Sequence, residues 1–529
     1  MEKFFFTFLT ALLSACSLFS NEKDYPYQSL YENLPFEMPK LEKPRFPNYK
    51  VNITEYGGVP DGIALNTKAF AKAIDALSSK GGGTLVIPSG VWNTGPIVLQ
   101  SNIELHLEMG ALILFTDDKN AYPLQSTFFE GSKAYRAQSP ISGRNLTNIA
   151  ITGQGAINGS GDAWRPLKRV KVTNGQWNAT VKSGGVLKGD NLWFPSESAL
   201  KGDSLLSFHR KNMTIEDYKT IKDYLRPVMI SLVECKNVLL EGVLFENSPS
   251  WNIHPLMCEN LIIDGIFVRN PSYAQNGDGI DIESCKNVIV VNSTLDVGDD
   301  GICLKSGKDE QGRKRNRPTE NVVVDNCRVF KGHGGFVVGS EMSGGIRNIS
   351  VSNCQFIGTD VGLRFKSARG RGGVVEHIYI NNINMFNIVN EPISFNLYYF
   401  TKKTDDVVVA DETTPQFKNI HINDVVAKNA EKAMSFVGLP EMNIEGIYLE
   451  NVIISSKLGA ELSDTREIKF KDTGIYPEEG PALMLNDVKD VEIENFSTSE
   501  NNSEVVKIQG TRNDNIKLPE NMDKNKIFR

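Results

Sequence analysis

The sequence predicts an all-β chain: a single parallel β-helix over residues 51–520, with an N-terminal capping helix. Three observations predict it. Short apolar alternations rich in Val and Ile, most opened by asparagine, recur from Asn148 to Asp490, and such runs read as strands stacked coil on coil. The chain behind the N-terminal region is too long for one compact core, a limit that a solenoid escapes because each coil touches only its neighbours. One amphipathic helical pattern lies where an open solenoid end needs a cover.

In chain order, Met1 to Ala15 is a short apolar run behind Lys3. It is too short to span a bilayer and reads as a signal-peptide core. Leu13-Ser14-Ala15-Cys16 has the form of a lipobox, with Cys16 as the lipidated residue. No later stretch is apolar enough to span a membrane. Residues 16–50 carry Pro26, Pro35, Pro39, Pro44 and Pro47 and suit an extended tether. Tyr25 and Tyr27 offer a way for it to dock on the folded body.

The capping helix is expected over Asn66 to Ser79, where Ala69, Phe70, Ala73, Ile74 and Leu77 share one face. Gly81-Gly82-Gly83 ends it, and no Lys-Ser or Lys-Thr follows to make a phosphate loop. Repeats then begin at Asn148, Asn237, Asn260, Asn287, Asn321, Asn348 and Asn419. His377, Gly446 and Asp490 stand at the same place. From 237 to 348 the intervals are 23, 27, 34 and 27, the longer ones marking loops inserted into a coil. Asparagine suits such a corner because it tolerates left-handed backbone angles and its amide can bond to the coil above. Cys235, Cys258 and Cys285 precede a repeat Asn by two residues, and Cys327 and Cys354 follow one by six. That regularity predicts stacked core thiols rather than disulfides. No Cys-x-x-Cys spacing suggests a metal.

Residues 158–227 interrupt the repeat with Trp164, Trp177 and Trp193. These either stack on a ligand or pin the insertion to the barrel. Trp251 and His254 lie one coil before the acidic segment described next and are expected to line the same groove. The net charge of −7 carries no nucleic-acid signature. Two basic clusters, from Lys305 to Arg317 and from Arg364 to Arg371, favour an anionic ligand.

Between residues 276 and 366 come Asn276-Gly277-Asp278, Gly298-Asp299-Asp300, Gly332-His333-Gly334 and Arg364-Phe365-Lys366. Asp278 and Asp299 are 21 residues apart, which places one carboxylate above another in a stacked sheet. Such crowding raises proton affinity, and a purely structural protein has little reason for it.

These four groups, in this order, resemble the motifs of glycoside hydrolase family 28, the polygalacturonases. Gly277 replaces a threonine and Phe365 an isoleucine, and the likeness extends from about Ile53 to Asn451. The resemblance implies a right-handed, pectin-lyase-like β-helix that hydrolyses α-1,4-galacturonosyl bonds of polygalacturonate or rhamnogalacturonan with inversion. It implies Asp299 as general acid, with Asp278 and Asp300 positioning and activating water. His333 would set the protonation of this group. Arg364 and Lys366 would hold the sugar carboxylate. Asn276, Lys305, His254 and Tyr399 are further substrate-binding candidates, Tyr398 competing with Tyr399 for the role. Residues around Lys308-Asp309-Glu310 resemble the exo-acting branch, and the long insertions could close one end of the groove. No cofactor or metal is expected. The partner would be a pectic oligo- or polysaccharide, and the membrane would be met only through the lipid. The protein is expected to be an exported monomer on the periplasmic side or the outer-membrane surface. The alternatives are a calcium-dependent pectate lyase on the same fold and a non-catalytic carbohydrate-binding β-helix.

Overall fold

The computed structural model describes residues 25–207, 213–404, 406–520 and 522–528. Cys16 and the apolar run before it lie outside them. The chain winds into a right-handed parallel β-helix, each strand pairing in parallel with its counterpart one coil away. Helix α1 (Thr67–Ser79) buries Ala69, Phe70, Ala73, Ile74 and Leu77, packing on the first coils as the expected cover. The glycine triplet behind it serves a close approach. Gly82 has φ +123°, and a Cβ there would meet the Asn102 carbonyl at 2.2 Å.

The corner asparagines stack as expected. The side-chain amide of Asn148 donates to Asn102 at 3.1 Å and that of Asn237 to Asn148 at 2.9 Å. Asn260, Asn287, Asn321 and Asn348 continue the ladder at 3.0–3.1 Å. Each holds a positive φ, from 54° to 61°. Beyond Asn348 the amide ladder is interrupted while the backbone conformation persists, at His377, Asn419, Gly446 and Asp490, and one rung returns where Asn515 donates to Asp490 at 2.8 Å. The later cysteines are free and buried in the core; the Cys258 backbone N–H lies 3.4 Å from the Cys285 sulfur of the next coil.

One expectation needs correction, and one open alternative is decided. The proline-rich segment is not a free tether from Tyr25 onward. Tyr27 and Leu41 are buried against Ala150, Leu239, Ile262 and Ile289 on the outer wall, and the Tyr27 hydroxyl donates to Asp264 at 2.9 Å. Its aromatics dock because the wall offers apolar outward residues there. The tryptophans of residues 158–227 are internal: Trp164 packs edge-on against Tyr122, and Trp177 and Trp193 share a small core with Leu167. They pin the insertion and do not face a groove.

The outer face of one sheet carries the chemistry. A hairpin, β1 (Leu124–Phe129) and β2 (Ser132–Ala137), leans over it. Below run β3 (Ile253–Leu256), β4 (Ile280–Glu283), β5 (Asp300–Lys305), β6 (Gly334–Gly339), β7 (Leu363–Lys366) and β8 (Ile393–Asn396). Their register sets Asp281 beside Cys303, Glu283 beside Lys305, Val337 beside Arg364 and Gly339 beside Lys366. Alternate residues point inward, and there the replacement of isoleucine by Phe365 is absorbed: its ring stacks on Phe395 at 4.3 Å.

Asn321→Ala removes two ladder bonds and leaves an unsupported left-handed residue. At about 0.5–1.5 kcal/mol per bond and about 1 kcal/mol for the backbone, chemical denaturation should show a loss of about 2–4 kcal/mol. Asn321→Gly should lose less, because glycine accepts the positive φ.

Candidate active site

Asp278, Asp299 and Asp300 converge, with carboxylate oxygens within 4.8 Å of one another. The loop before Asp278 is tight: a Cβ on Gly277 would meet the Ala274 Cβ at 2.7 Å, which explains glycine where threonine was the comparison. Asn276 lies in the same loop at φ +53°, its side-chain oxygen accepting from Arg226 at 2.7 Å. Sequence reasoning missed Arg226, since a lone arginine inside an insertion gives no pattern.

The three acids sit in different electrostatic environments. Asp300 is buried, which alone would raise its proton affinity. Lys366 at 2.6 Å and Arg364 at 3.1 Å overcome this and hold it well below the usual carboxylate range. Asp278 is buried beside Asp281, Asp299 and Asp300, and its pKa is driven well above the ordinary value. Asp299 is more open, with 20% of its side chain exposed. It accepts from the Asp300 backbone N–H at 3.0 Å and lies 2.9 Å from His333 Nδ1. That hydrogen bond raises the His333 pKa. Three carboxylates this close could share a cation, but the Lys366 and Arg364 pairs already supply positive charge to Asp300.

Asp281 was also missed. It is fully buried next to the triad, neither carboxylate oxygen has a hydrogen-bond partner, and Lys305 stands 3.5 Å away. Burial drives its pKa upward. Lys305 itself is enclosed, paired with Asp281 and with Glu341 at 3.3 Å and lying over the Trp251 ring. It does not present itself to the open groove as expected. Nor does His254, which is buried 2.9 Å from Glu283 and edge-on to Trp251. Between Tyr398 and Tyr399 the structure separates the roles. The Tyr399 ring lies 5.0 Å from Lys366 Nζ and 5.6 Å from the Arg364 guanidinium carbon. Tyr398 is buried and donates to the Thr404 carbonyl.

The basic clusters also divide. In helix α2 (Asp309–Arg315), Arg315 pairs with Glu283 at 2.6 Å and reaches the Gly131 carbonyl at the hairpin turn. Arg313 donates to the Gly370 and Arg371 carbonyls. Arg371 pairs with Asp309, and Arg369 with Glu441. These charges clamp loops together. Of the two clusters, Arg364 and Lys366 are the pair on the triad.

The hairpin is seated over the coils that precede the triad. Phe128 packs on Val233, Leu256 and Met257, and Phe129 lies against Trp251 at 4.8 Å. The Lys133 backbone N–H donates to Gln311 of α2 at 3.0 Å. Residues 158–227, expected as a wall, flank this hairpin without supplying its contacts to α2.

Residues 209–474 match the family model for glycosyl hydrolases family 28. A probable polygalacturonase of Vitis vinifera is 30% identical over 77% of this chain and 74% of its own length. An exo-poly-alpha-D-galacturonosidase of Dickeya chrysanthemi is 28% identical over 80% of this chain and 70% of its own. Among solved structures, a hyperthermoactive exopolygalacturonase of Thermotoga maritima is 32% identical. It aligns with a TM-score of 0.67 over 79% of this chain and 92% of that one.

An acid whose folded pKa is raised costs stability as pH rises from its ordinary value, 3.8 for Asp278, towards the folded one. Asp278→Asn should therefore melt no lower than the wild type at pH 7, and the difference should vanish near pH 3.5, where both are neutral. Thermal scans at the two values check the sign.

Proposed function

The chain belongs to glycosyl hydrolases family 28, and from that premise we infer that it hydrolyses α-galacturonosyl linkages of pectic polysaccharide from chain ends, with inversion. The observation that carries the reading is the converging triad Asp278, Asp299 and Asp300, flanked by Arg364 and Lys366 in a groove walled at one end. The pectate-lyase and binding-only readings are not favoured.

In this assignment Asp299 donates the proton to the leaving oxygen. The family motif carries that role to this position, and the partial exposure of the side chain leaves it within reach of a leaving oxygen. Water is held on the opposite face. Asp278 and Asp300 share one role in the family motif, but their environments here differ. Asp278, with raised proton affinity, is the stronger base once ionised. Asp300, held ionised by two cations, orients the water as an acceptor. Arg364, Lys366 and the Tyr399 ring receive the sugar on the leaving side. Asn276 steadies the Asp278 loop. Lys305 and His254 act behind the site, through Asp281 and Glu283. The hairpin wall supports release of monogalacturonate rather than internal cleavage.

We further propose export, with Cys16 lipidated and the enzyme held at the periplasmic side or outer-membrane surface. That reading rests on Met1 to Cys16 alone. No helix among the described residues is long and apolar enough to cross a membrane.

Asp299→Asn should lower kcat by about 10²–10⁴-fold, the scale of general acid catalysis, while remaining folded. Proton NMR of trigalacturonate hydrolysis should show galacturonate, or the fragment carrying the new reducing end, first as the β-anomer. Near-normal turnover of Asp299→Asn would refute its role. A rapid fall of polygalacturonate viscosity at low bond conversion would refute end-wise attack.

A further inference from the structure

Each sugar of a galacturonan carries one carboxylate, so the two sugars flanking the cleaved bond bring two negative charges. Arg364 and Lys366, on one side of the triad, stand ready for one of them. At the walled end the structure holds a second cationic group that the motifs do not contain. Arg136, on β2 of the hairpin, is 91% buried by its 9% exposure. Its guanidinium Nη2 donates to the Arg226 carbonyl, and its face lies 3.7 Å from the Phe129 ring centre. Its Nε is buried with no partner. Its Nη1 has no protein hydrogen bond among the described residues and is not fully buried. Arg226 is as enclosed, donating to the Pro249 carbonyl at 3.0 Å, the Gln275 carbonyl at 2.8 Å and Asn276.

Neither arginine pairs with a carboxylate among the described residues. By contrast the neighbouring Arg165 pairs with Asp162 at 2.5 Å. The nearest acids, Glu130 at the hairpin turn and Asp278, are felt only through space. Burial and the mutual repulsion of the two guanidinium groups lower the Arg136 pKa. A buried cation without a counter-ion is costly to the fold, and here it stands in the wall that would meet the end of the substrate. Contacts fix its place: Arg136 reaches the loop that carries Asp278 through Arg226 and Asn276 on one side, and reaches Lys305 behind the triad through Phe129 and Trp251 on the other.

We propose that Arg136, backed by Arg226, is a binding residue for the carboxylate of the terminal uronic acid. The wall thus selects an anionic chain end rather than merely blocking the groove. This rests on the end-wise hydrolysis inferred above. The terminal carboxylate would supply the missing counter-ion, accepting from the guanidinium edge that the protein leaves unpaired.

The test compares wild type, Arg136→Met and Arg136→Lys. We expect Arg136→Met to lower kcat/KM on trigalacturonate by about 10- to 100-fold, the scale of one charge-assisted hydrogen bond. Inhibition by galacturonate should weaken in the same proportion. Galactose, which lacks the carboxylate, should inhibit both proteins equally weakly. Arg136→Lys should recover part of the loss. The melting midpoint of Arg136→Met should not fall, since a buried unpaired charge has been removed. A kcat/KM within twofold of wild type, or parallel loss of galactose and galacturonate inhibition, overturns the proposal. If wild type releases monogalacturonate from chain ends while Arg136→Met is unaffected, only the subsite is wrong. If wild type cleaves internally, the underlying reading fails instead.

Discussion

Everything in this protein depends on coils stacking in register. A parallel pairing that keeps residue i beside its counterpart one coil on turns residues 21 to 34 apart in sequence into neighbours. The asparagine ladder is the device that holds this register at one corner, because each amide bonds to the one below. Core thiols, stacked phenylalanines and the acidic triad are then consequences of the same alignment. A slip of one residue would turn every inward side chain outward and scatter the triad with it.

The site built on that frame is one of unequal acids. Three carboxylates within a few ångströms would repel one another if all were ionised. The surroundings settle the conflict differently for each. Two cations hold Asp300 ionised, burial pushes Asp278 towards its neutral form, and Asp299 stays near solvent against His333. Behind them Asp281, Lys305 and Glu341 form a second tier. Lys305 offsets part of the charge of both acids, and Glu341 is held down to about 2 despite its burial.

Much of this was legible in the sequence, for a physical reason. Strand period, corner asparagines and the four short motifs are local patterns, and a solenoid converts local patterns directly into spatial ones. The cap, the ladder and the triad were therefore readable, as were Arg364 and Lys366. What was not readable depends on contacts between distant insertions. Hairpin β1–β2 is the proposed wall, but its sequence resembles any strand pair, and only the structure shows its seat on α2 and Trp251. The charge run from Lys305 to Arg317 looked like a ligand site because sequence does not show that Glu283, the Gly131 carbonyl and Glu341 already take up its charges. His254 misled for the same reason, and the insertion tryptophans left two readings open: burial is a tertiary fact. Asp281 and Arg136 went unnoticed because nothing near them in sequence marks a buried charge without a full set of partners.

The wall has a consequence for how such a protein works on a polymer. An enzyme that admits only chain ends is limited by the number of ends, not by the mass of substrate. A long galacturonan offers it few places to start, and each cut leaves the number of polymer ends unchanged. Its output from a given weight of pectin therefore scales inversely with chain length. Such an enzyme is suited to material already fragmented, and any agent that cuts chains internally raises its rate without touching it.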